Sequence, residues 1–268
     1  DATANYDLSL TKKRIQGWQA ALFPTGYSGM HEITIGSWRK SKEPMQVVSG
    51  PIGKERIHYE APPTGRISGE MTAFLKWWKN PPATLDGLLR AGVAHFWFVT
   101  IHPFEDGNGR IARVLTDMAL AQDEKTGQRL YSLSSQIIKE RDAYYDVLER
   151  TQRGSCDITL WLQWFLEMFC RALQNSQDVI EHALLVARFW QSHAKHELND
   201  RQIKVIKTLL EAEPAGFQGG LTNRKYVSLT KVSRETAKRD LSDLEKKGIL
   251  KRLQGKGRSI SYALNLSD

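Results

Sequence analysis

Several features that would settle a function early are scarce or missing in this sequence. Only two cysteines occur, Cys156 and Cys170, and they form no C-x-x-C pair. That pattern indicates neither a disulfide scaffold nor a zinc site, and it fits a reducing cytoplasm. No apolar run approaches the ~20 residues of a membrane-spanning helix. The polar N-terminus also lacks the apolar stretch of a signal peptide. There is no internal repeat and no low-complexity tract. What remains is ordinary for a globular protein: 41% hydrophobic and 25% charged residues in a chain of 268. That length builds one large domain or two unequal ones, with ample material for a core.

Charge is distributed unevenly. From Leu198 to the end there are 15 Lys and Arg against 8 Asp and Glu, whereas the preceding 197 residues carry 23 against 22. Almost all of the net +8 therefore belongs to the last quarter. A separate C-terminal module with a polyanionic partner is the expectation.

Chemistry concentrates in His102-Pro103-Phe104-Glu105-Asp106-Gly107-Asn108-Gly109-Arg110. Leu88, Leu89, Val93, Phe96 and Trp97 recur at helical spacing before it, and Ile111, Val114, Leu115 and Met118 after it. Pro103 predicts that the first helix ends at about His102. Gly107-Asn108-Gly109 then opens the second, where glycines let backbone N–H groups converge beside the positive end of the helix dipole. Such a nest binds anions, phosphate above all. Arg110 and Arg113, three apart on the first turn, can grip phosphate oxygens. Asp106 is a hard oxygen donor suited to Mg²⁺. His102 can exchange a proton near pH 7. Together these residues suit chemistry on a phosphate ester.

The nine residues resemble the Fic family motif, His-Pro-Phe-x-(Asp/Glu)-Gly-Asn-Gly-Arg with a second arginine three residues on, and every defined position matches. The resemblance implies a mainly α fold: a Fic-type helical bundle with a β-hairpin flap. It also implies a protein adenylyltransferase that moves AMP from ATP, with Mg²⁺, to a Ser, Thr or Tyr hydroxyl of a target protein, itself included. His102 would be the base, Asp106 the metal ligand, Gly107, Asn108, Gly109 and Arg110 the phosphate contacts, and Arg113 the γ-phosphate contact. Ile57, His58, Tyr59 and Glu60, just before Ala61-Pro62-Pro63, would form the flap and hold a target segment by strand addition. Tyr144 and Tyr145 match the family's purine-pocket pair. Gln152 stands where some members have Asn. Removal of AMP, another nucleotide donor, or a DNA-binding regulator with a nucleotide-sensing domain remain as alternatives.

Many family members restrain themselves with a helix bearing Ser/Thr-x-x-x-Glu-Gly/Asn. No glutamate here precedes Gly or Asn, so the expectation is an inhibitory helix outside this chain and constitutive activity within it. His95, seven residues before His102, reads as a hydrogen-bonded core histidine. His193 and His196 have no acidic or cysteine partner nearby.

Along the chain, helices are expected at about Leu10 to Leu22, around Met71 to Trp78, at Ser134 to Arg150, at Ile158 to Gln174 and at Ala183 to His193. Short strands are expected at Ile33–Ile35, Met45–Val48 and Arg56–Tyr59. The organisation is then an N-terminal segment (1–32), a catalytic core (33–175), a helical linker (176–197) and a C-terminal module (198–268). That module reads as three helices and a hairpin, like a winged helix-turn-helix, with Ser233 as an N-cap. Arg234, Lys238 and Arg239 would lie on its recognition helix and Lys256 and Arg258 on its wing, suited to DNA. A homodimer or a docking role is left open. No membrane association is expected.

Overall fold

Apolar side chains at helical spacing build most of the fold, and the computed structural model describes residues 1–41, 44–49, 56–213, 215–253 and 260–266. The chain divides into two compact units, residues 1–176 and 177–268.

The first unit is organised around two helices, α3 (Gly87–Ile101) and α4 (Asn108–Glu124), which pack on each other along their length. Asp86 caps α3 by accepting from the N–H groups of Leu88 and Leu89, the usual use of an N-cap carboxylate. The buried faces of α3 and α4 meet Phe74 and Met71 of α2 (Thr64–Lys79) and Trp161, Phe165 and Met168 of α7 (Thr159–Ser192). Burying a large apolar side chain of this kind contributes about 1.5–3 kcal/mol. Around this pair lie α1 (Lys12–Leu22), α5 (Leu133–Lys139) and α6 (Arg141–Gln152).

Two small hairpins complete the unit. Strand β1 (Tyr27–Ser28) pairs antiparallel with β2 (His31–Glu32). Strand β3 (Gln46–Ser49) pairs antiparallel with β4 (Arg56–Glu60), with Val47 opposite Tyr59, Val48 opposite Ile57, and a bulge between Val47 and Val48.

Three expectations need correcting. Ile33–Ile35 is not a strand, because the N–H of Thr34 donates to the Glu105 carboxylate at 2.8 Å instead of to a neighbouring strand. The single helix expected over 134–150 is broken at Glu140, whose backbone sits at φ −110°, ψ 30°. There its carboxylate takes two bonds from Arg171, at 2.7 and 2.6 Å. Conversely, the helices expected at 158–174 and 183–193 are one, α7, since no Gly or Pro interrupts the run.

In the second unit, α8 (Asp200–Glu211) starts from a capping box of Asn199 and Gln202. It packs with α9 (Asn223–Thr230) and α10 (Arg234–Lys246), and Ser233 caps α10. Strands β5 (Leu250–Arg252) and β6 (Tyr262–Leu264) pair antiparallel, and Leu221 bridges to Tyr262. Gly220, at φ +66°, must be glycine for a second reason: a Cβ there would sit 2.9 Å from Leu253 and Ser261. Val205, Ile206, Leu209, Tyr226, Leu241 and Leu244 form the core, joined by Phe189 of α7.

One carboxylate organises the polar side of this unit. Asp240, 7% exposed, accepts from Arg201 Nε (2.9 Å), Tyr226 Oη (2.9 Å) and Asn199 Nδ2 (3.4 Å). Removing this carboxylate leaves the buried Tyr226 hydroxyl without its acceptor, whereas Arg201, 40% exposed, can turn to water. Asp240→Ala is expected to destabilise the second unit by about 1–3 kcal/mol in urea unfolding. A change under about 0.5 kcal/mol would show that water replaces the lost bonds.

Candidate active site

Helix α3 ends at His102 in the left-handed region (φ 50°, ψ 58°), its N–H closing on the carbonyl of Phe98 at 3.0 Å. A histidine tolerates this conformation, and Pro103 prevents the helix from continuing. The ring is set by the same turn. Nδ1 lies 3.1 Å from the carbonyl of Val99, a pure acceptor, so Nδ1 carries the proton and Nε2 keeps its lone pair. Burial, above all, brings His102 down to about 4. The bond to Val99 and the charge of Asp106 oppose that shift, while Arg39 adds to it. His102 is therefore neutral and able to take a proton at pH 7.

The loop that follows is closed from inside. Asn108, 2% exposed, accepts from the N–H of Phe104 at 2.9 Å and donates to its carbonyl at 2.8 Å. Phe104 is buried against Trp38, with ring centroids 4.9 Å apart. The chain from β1 up to β3 braces the loop from outside. Ser28 Oγ donates to Asp106 Oδ2, and Thr34 gives Glu105 two bonds, at 2.8 and 2.9 Å. Buried Arg39 donates from Nε to the carbonyl of His102 at 2.8 Å, and its N–H reaches the carbonyl of Pro103 at 2.9 Å.

Gly107 turns the chain into α4 at φ +89°, where a Cβ would also meet the Phe23 ring at 3.0 Å. Its N–H is taken by Asp106 Oδ1. The free N–H groups of the helix start are therefore those of Asn108, Gly109 and Arg110, which have no intrahelical acceptor. The free N–H groups thus run one residue further on than the Gly107-Asn108-Gly109 stretch, and the Asn108 side chain braces the loop.

These elements line a cavity of about 350 Å³. His102, Asp106, Asn108, Gly109 and Arg113 form one part of its wall, and Tyr144, Tyr145, Leu148, Glu149 and Gln152 of α6 another. Residues Val47, Val48, His58 and Tyr59 of the β3–β4 hairpin also line it. The hairpin is tied down at three points. Tyr59 Oη donates to the carbonyl of Thr100 at 2.7 Å, and His58 Nδ1 contacts Glu149 Oε2. Arg153, paired with Glu149 at 3.0 Å, donates to the carbonyl of Ile57 at 2.9 Å. Burial pushes the Tyr59 phenol up to about 12, so it stays a donor.

Among the sequence-predicted residues, Ile57 and Glu60 are exposed and outside the cavity lining. Arg110 also lies outside it, its guanidinium 4.4 Å from the Phe23 ring centroid and 3.7 Å from Asp106. Gln152 donates to Thr100 Oγ1 at 3.1 Å. Arg234, Lys238 and Arg239 are exposed on α10, whereas Lys256 and Arg258 lie outside the described residues. Among the described residues no group of three or more His, Cys, Asp or Glu could hold a metal, the surroundings of His193 and His196 included. Among the described residues no helix is long and apolar enough to cross a membrane. Sequence reasoning missed Ser28, Thr34, Arg39 and Glu149. Only Glu149 left a signal, its position three residues before Gln152 on one face of a helix.

Residues 9–120 match the model of the Fic/DOC family, and residues 218–262 that of the DeoR-like helix-turn-helix domain. A probable protein adenylyltransferase of Aquifex aeolicus (strain VF5) is 26% identical over 169 residues, which cover 63% of this chain and 50% of that protein. Protein adenylyltransferase Fic of Aedes aegypti is 34% identical over 94 residues, which cover 35% of this chain and 18% of that protein. The chain thus spans half the length of the first relative and less of the second. Among solved structures, a Fic family protein from Desulfovibrio desulfuricans G20 superposes with a TM-score of 0.51 at 20% identity, covering 98% of this chain and 69% of that one. A Fic domain containing signaling protein from Bacteroides thetaiotaomicron VPI-5482 gives 0.51 at 21% identity, covering 65% of each chain. These superpositions show a shared fold.

Two desolvated histidines, buried His95 and half-buried His102, make stability depend on pH. His102 is lowered to about 4 and His95 to about 3 by burial, against 6.5 for the unfolded ring. Below pH 6.5 the unfolded chain takes up protons that the folded chain refuses, so stability falls with pH, by up to about 1.4 kcal/mol per unit for each histidine. Denaturant unfolding at pH 7.5, 6 and 5 should show this decline, and His95→Gln should flatten it. A slope unchanged by that substitution would contradict the buried neutral state.

Proposed function

We propose that this chain, which carries a Fic/DOC domain and a C-terminal DeoR-like helix-turn-helix domain, is a protein adenylyltransferase that moves AMP from ATP to a hydroxyl of a Ser, Thr or Tyr in a target protein. The observation that carries this reading is the cavity in which the bare Nε2 of His102 shares a wall with the N–H groups opening α4. Catalysis needs a proton acceptor; a site that only sensed nucleotide would not.

His102 takes the proton from the target hydroxyl as its oxygen bonds to the α-phosphorus, and the bond to the β-phosphate oxygen breaks to release pyrophosphate. The N–H groups of Asn108, Gly109 and Arg110 face the developing negative charge, and Arg113 neutralises the outer phosphates. The residues present suit Mg²⁺, which binds through one or two carboxylates together with substrate phosphates. Asp106 is 44% exposed and uses one lone pair of each oxygen on Ser28 and Gly107, so further lone pairs remain for a cation. Bound there, Mg²⁺ would neutralise phosphate charge. Tyr144, Tyr145, Leu148, Glu149 and Gln152 enclose the base. The β3–β4 hairpin covers the cavity, and its edge would hold an extended target segment.

A specific observation also favours a polyanionic partner: Arg234, Lys238 and Arg239 are exposed together on α10, within the region that matches the helix-turn-helix domain. DNA binding through that face would weaken steeply with salt.

Incubation with α-³²P-ATP, Mg²⁺ and cell lysate should label protein bands, and His102→Ala should reduce the label about 10²- to 10⁴-fold. Competition with GTP, CTP and UTP reads the base preference. Because His102 is lowered to about 4, label transfer should hold from pH 8 to about 6 and fall toward pH 4. A drop centred near 6.5 would contradict the buried base, and labelling by His102→Ala at the wild-type rate would sink the reading.

A further inference from the structure

His95 is completely buried on α3, about two turns before His102, and none of the chemistry above uses it. Its surroundings determine where its proton sits. Nδ1 lies 2.9 Å from Thr116 Oγ1, and Nε2 lies 3.0 Å from Tyr144 Oη. Thr116 has one hydroxyl hydrogen, and its oxygen lies 2.9 Å from the carbonyl of Ala112, which can only accept. Thr116 therefore accepts from His95, so Nδ1 carries the proton and Nε2 is bare. Tyr144 in turn donates to Nε2.

The direction of every bond follows from that carbonyl. His95 stays neutral because burial, aided by the charge of Arg113, holds it at about 3. Burial also pushes the Tyr144 phenol well above its ordinary value, so the hydroxyl keeps the hydrogen it donates.

The relay connects the helix whose start opens on the cavity to a residue of the cavity wall. Thr116 is on α4, two turns beyond Gly109, and Tyr144 is on α6, where it lines the cavity. Because the Tyr144 hydroxyl hydrogen is committed to His95, this residue offers a ligand its ring and no donor. The ring is held edge-on to His95 (centroids 5.8 Å apart, 87°) and packs against Trp161 at 6.1 Å.

We propose that His95 is a positioning residue for the nucleotide, holding the Tyr144 ring in register with the phosphate-binding start of α4 through the Thr116–His95–Tyr144 relay. The proposal rests on the nucleotide-transfer reading of this cavity. Without the acceptor, the buried Tyr144 hydroxyl has no partner inside and turns toward the cavity, obstructing the base. Nucleotide affinity then falls, while proton transfer at His102 is untouched.

Three variants test this. His95→Leu removes the acceptor. His95→Gln can present its Oε1 near the former Nε2 position. Tyr144→Phe keeps the ring and removes the hydroxyl that the relay grips. ATP affinity is measured by isothermal titration in a His102→Ala background, and KM and kcat by label transfer with His102 intact. His95→Leu is expected to raise the dissociation constant and KM for ATP about tenfold, with kcat within about twofold of wild type. His95→Gln should recover most of that loss, and Tyr144→Phe should raise KM about threefold to fivefold. In the Tyr144→Phe background, His95→Leu should add less than about twofold, because both act through one bond.

Thermal melts confirm that each variant is folded; if His95→Leu does not fold, the Gln and Phe variants decide alone. A fall in kcat at constant KM, or fully additive effects, would overturn the proposal. If wild type binds ATP and the folded variants bind it equally well, this role is wrong and the functional reading stands. If wild type binds no nucleoside triphosphate, the functional reading fails and the role of His95 fails with it.

Discussion

The site depends on one closed turn. Between the end of α3 and the start of α4 the chain must reverse within six residues, and the Asn108 side chain makes that possible by satisfying both backbone groups of Phe104. Without those two bonds a buried N–H and a buried carbonyl would lack partners, a penalty of about 1–3 kcal/mol each. With them, His102 and the N–H groups of α4 are held on the same wall of one cavity. The motif is thus a structural unit first: its most buried polar residue builds the turn, and His102 and the helix start are held around it.

The second constraint is bracing from distant sequence. Ser28, Thr34 and Arg39 come from a stretch with little regular structure, yet each ends on the motif loop. Their bonds restrict Asp106, Glu105 and the carbonyl of His102. Preorganisation of this kind matters where catalysis consists mostly of positioning and electrostatics. It also explains why 33–35 is not a strand: the backbone donor that a sheet would need is used on Glu105.

Burial gives the site its character and exposes the fold to acid. His102 and His95 both refuse protons that the unfolded chain accepts. A base kept neutral well below pH 7 is ready to accept a proton, but the same desolvation makes the folded state lose ground as the pH falls. The hairpin follows similar logic, since Tyr59 and His58 anchor it over the cavity through groups that are partly or wholly removed from water.

Much was legible in the sequence. The two helices around the motif followed from apolar spacing, the end of α3 from Pro103, the start of α4 from Gly107, and the cap at Ser233 from residue type, all local effects set by neighbours a few positions apart. The charge excess begins at residue 198, whereas the second compact unit already begins at residue 177. What only the tertiary structure decided was where each polar atom is used. The N–H of Gly107 goes to Asp106, the amide of Asn108 to Phe104, and the hydroxyl of Tyr144 to His95; the hydroxyl of Ser28 reaches Asp106 across 78 positions of sequence. Hydrogen-bond partners far apart in the chain leave no periodicity to read, because a donor's choice among acceptors is settled by packing in three dimensions.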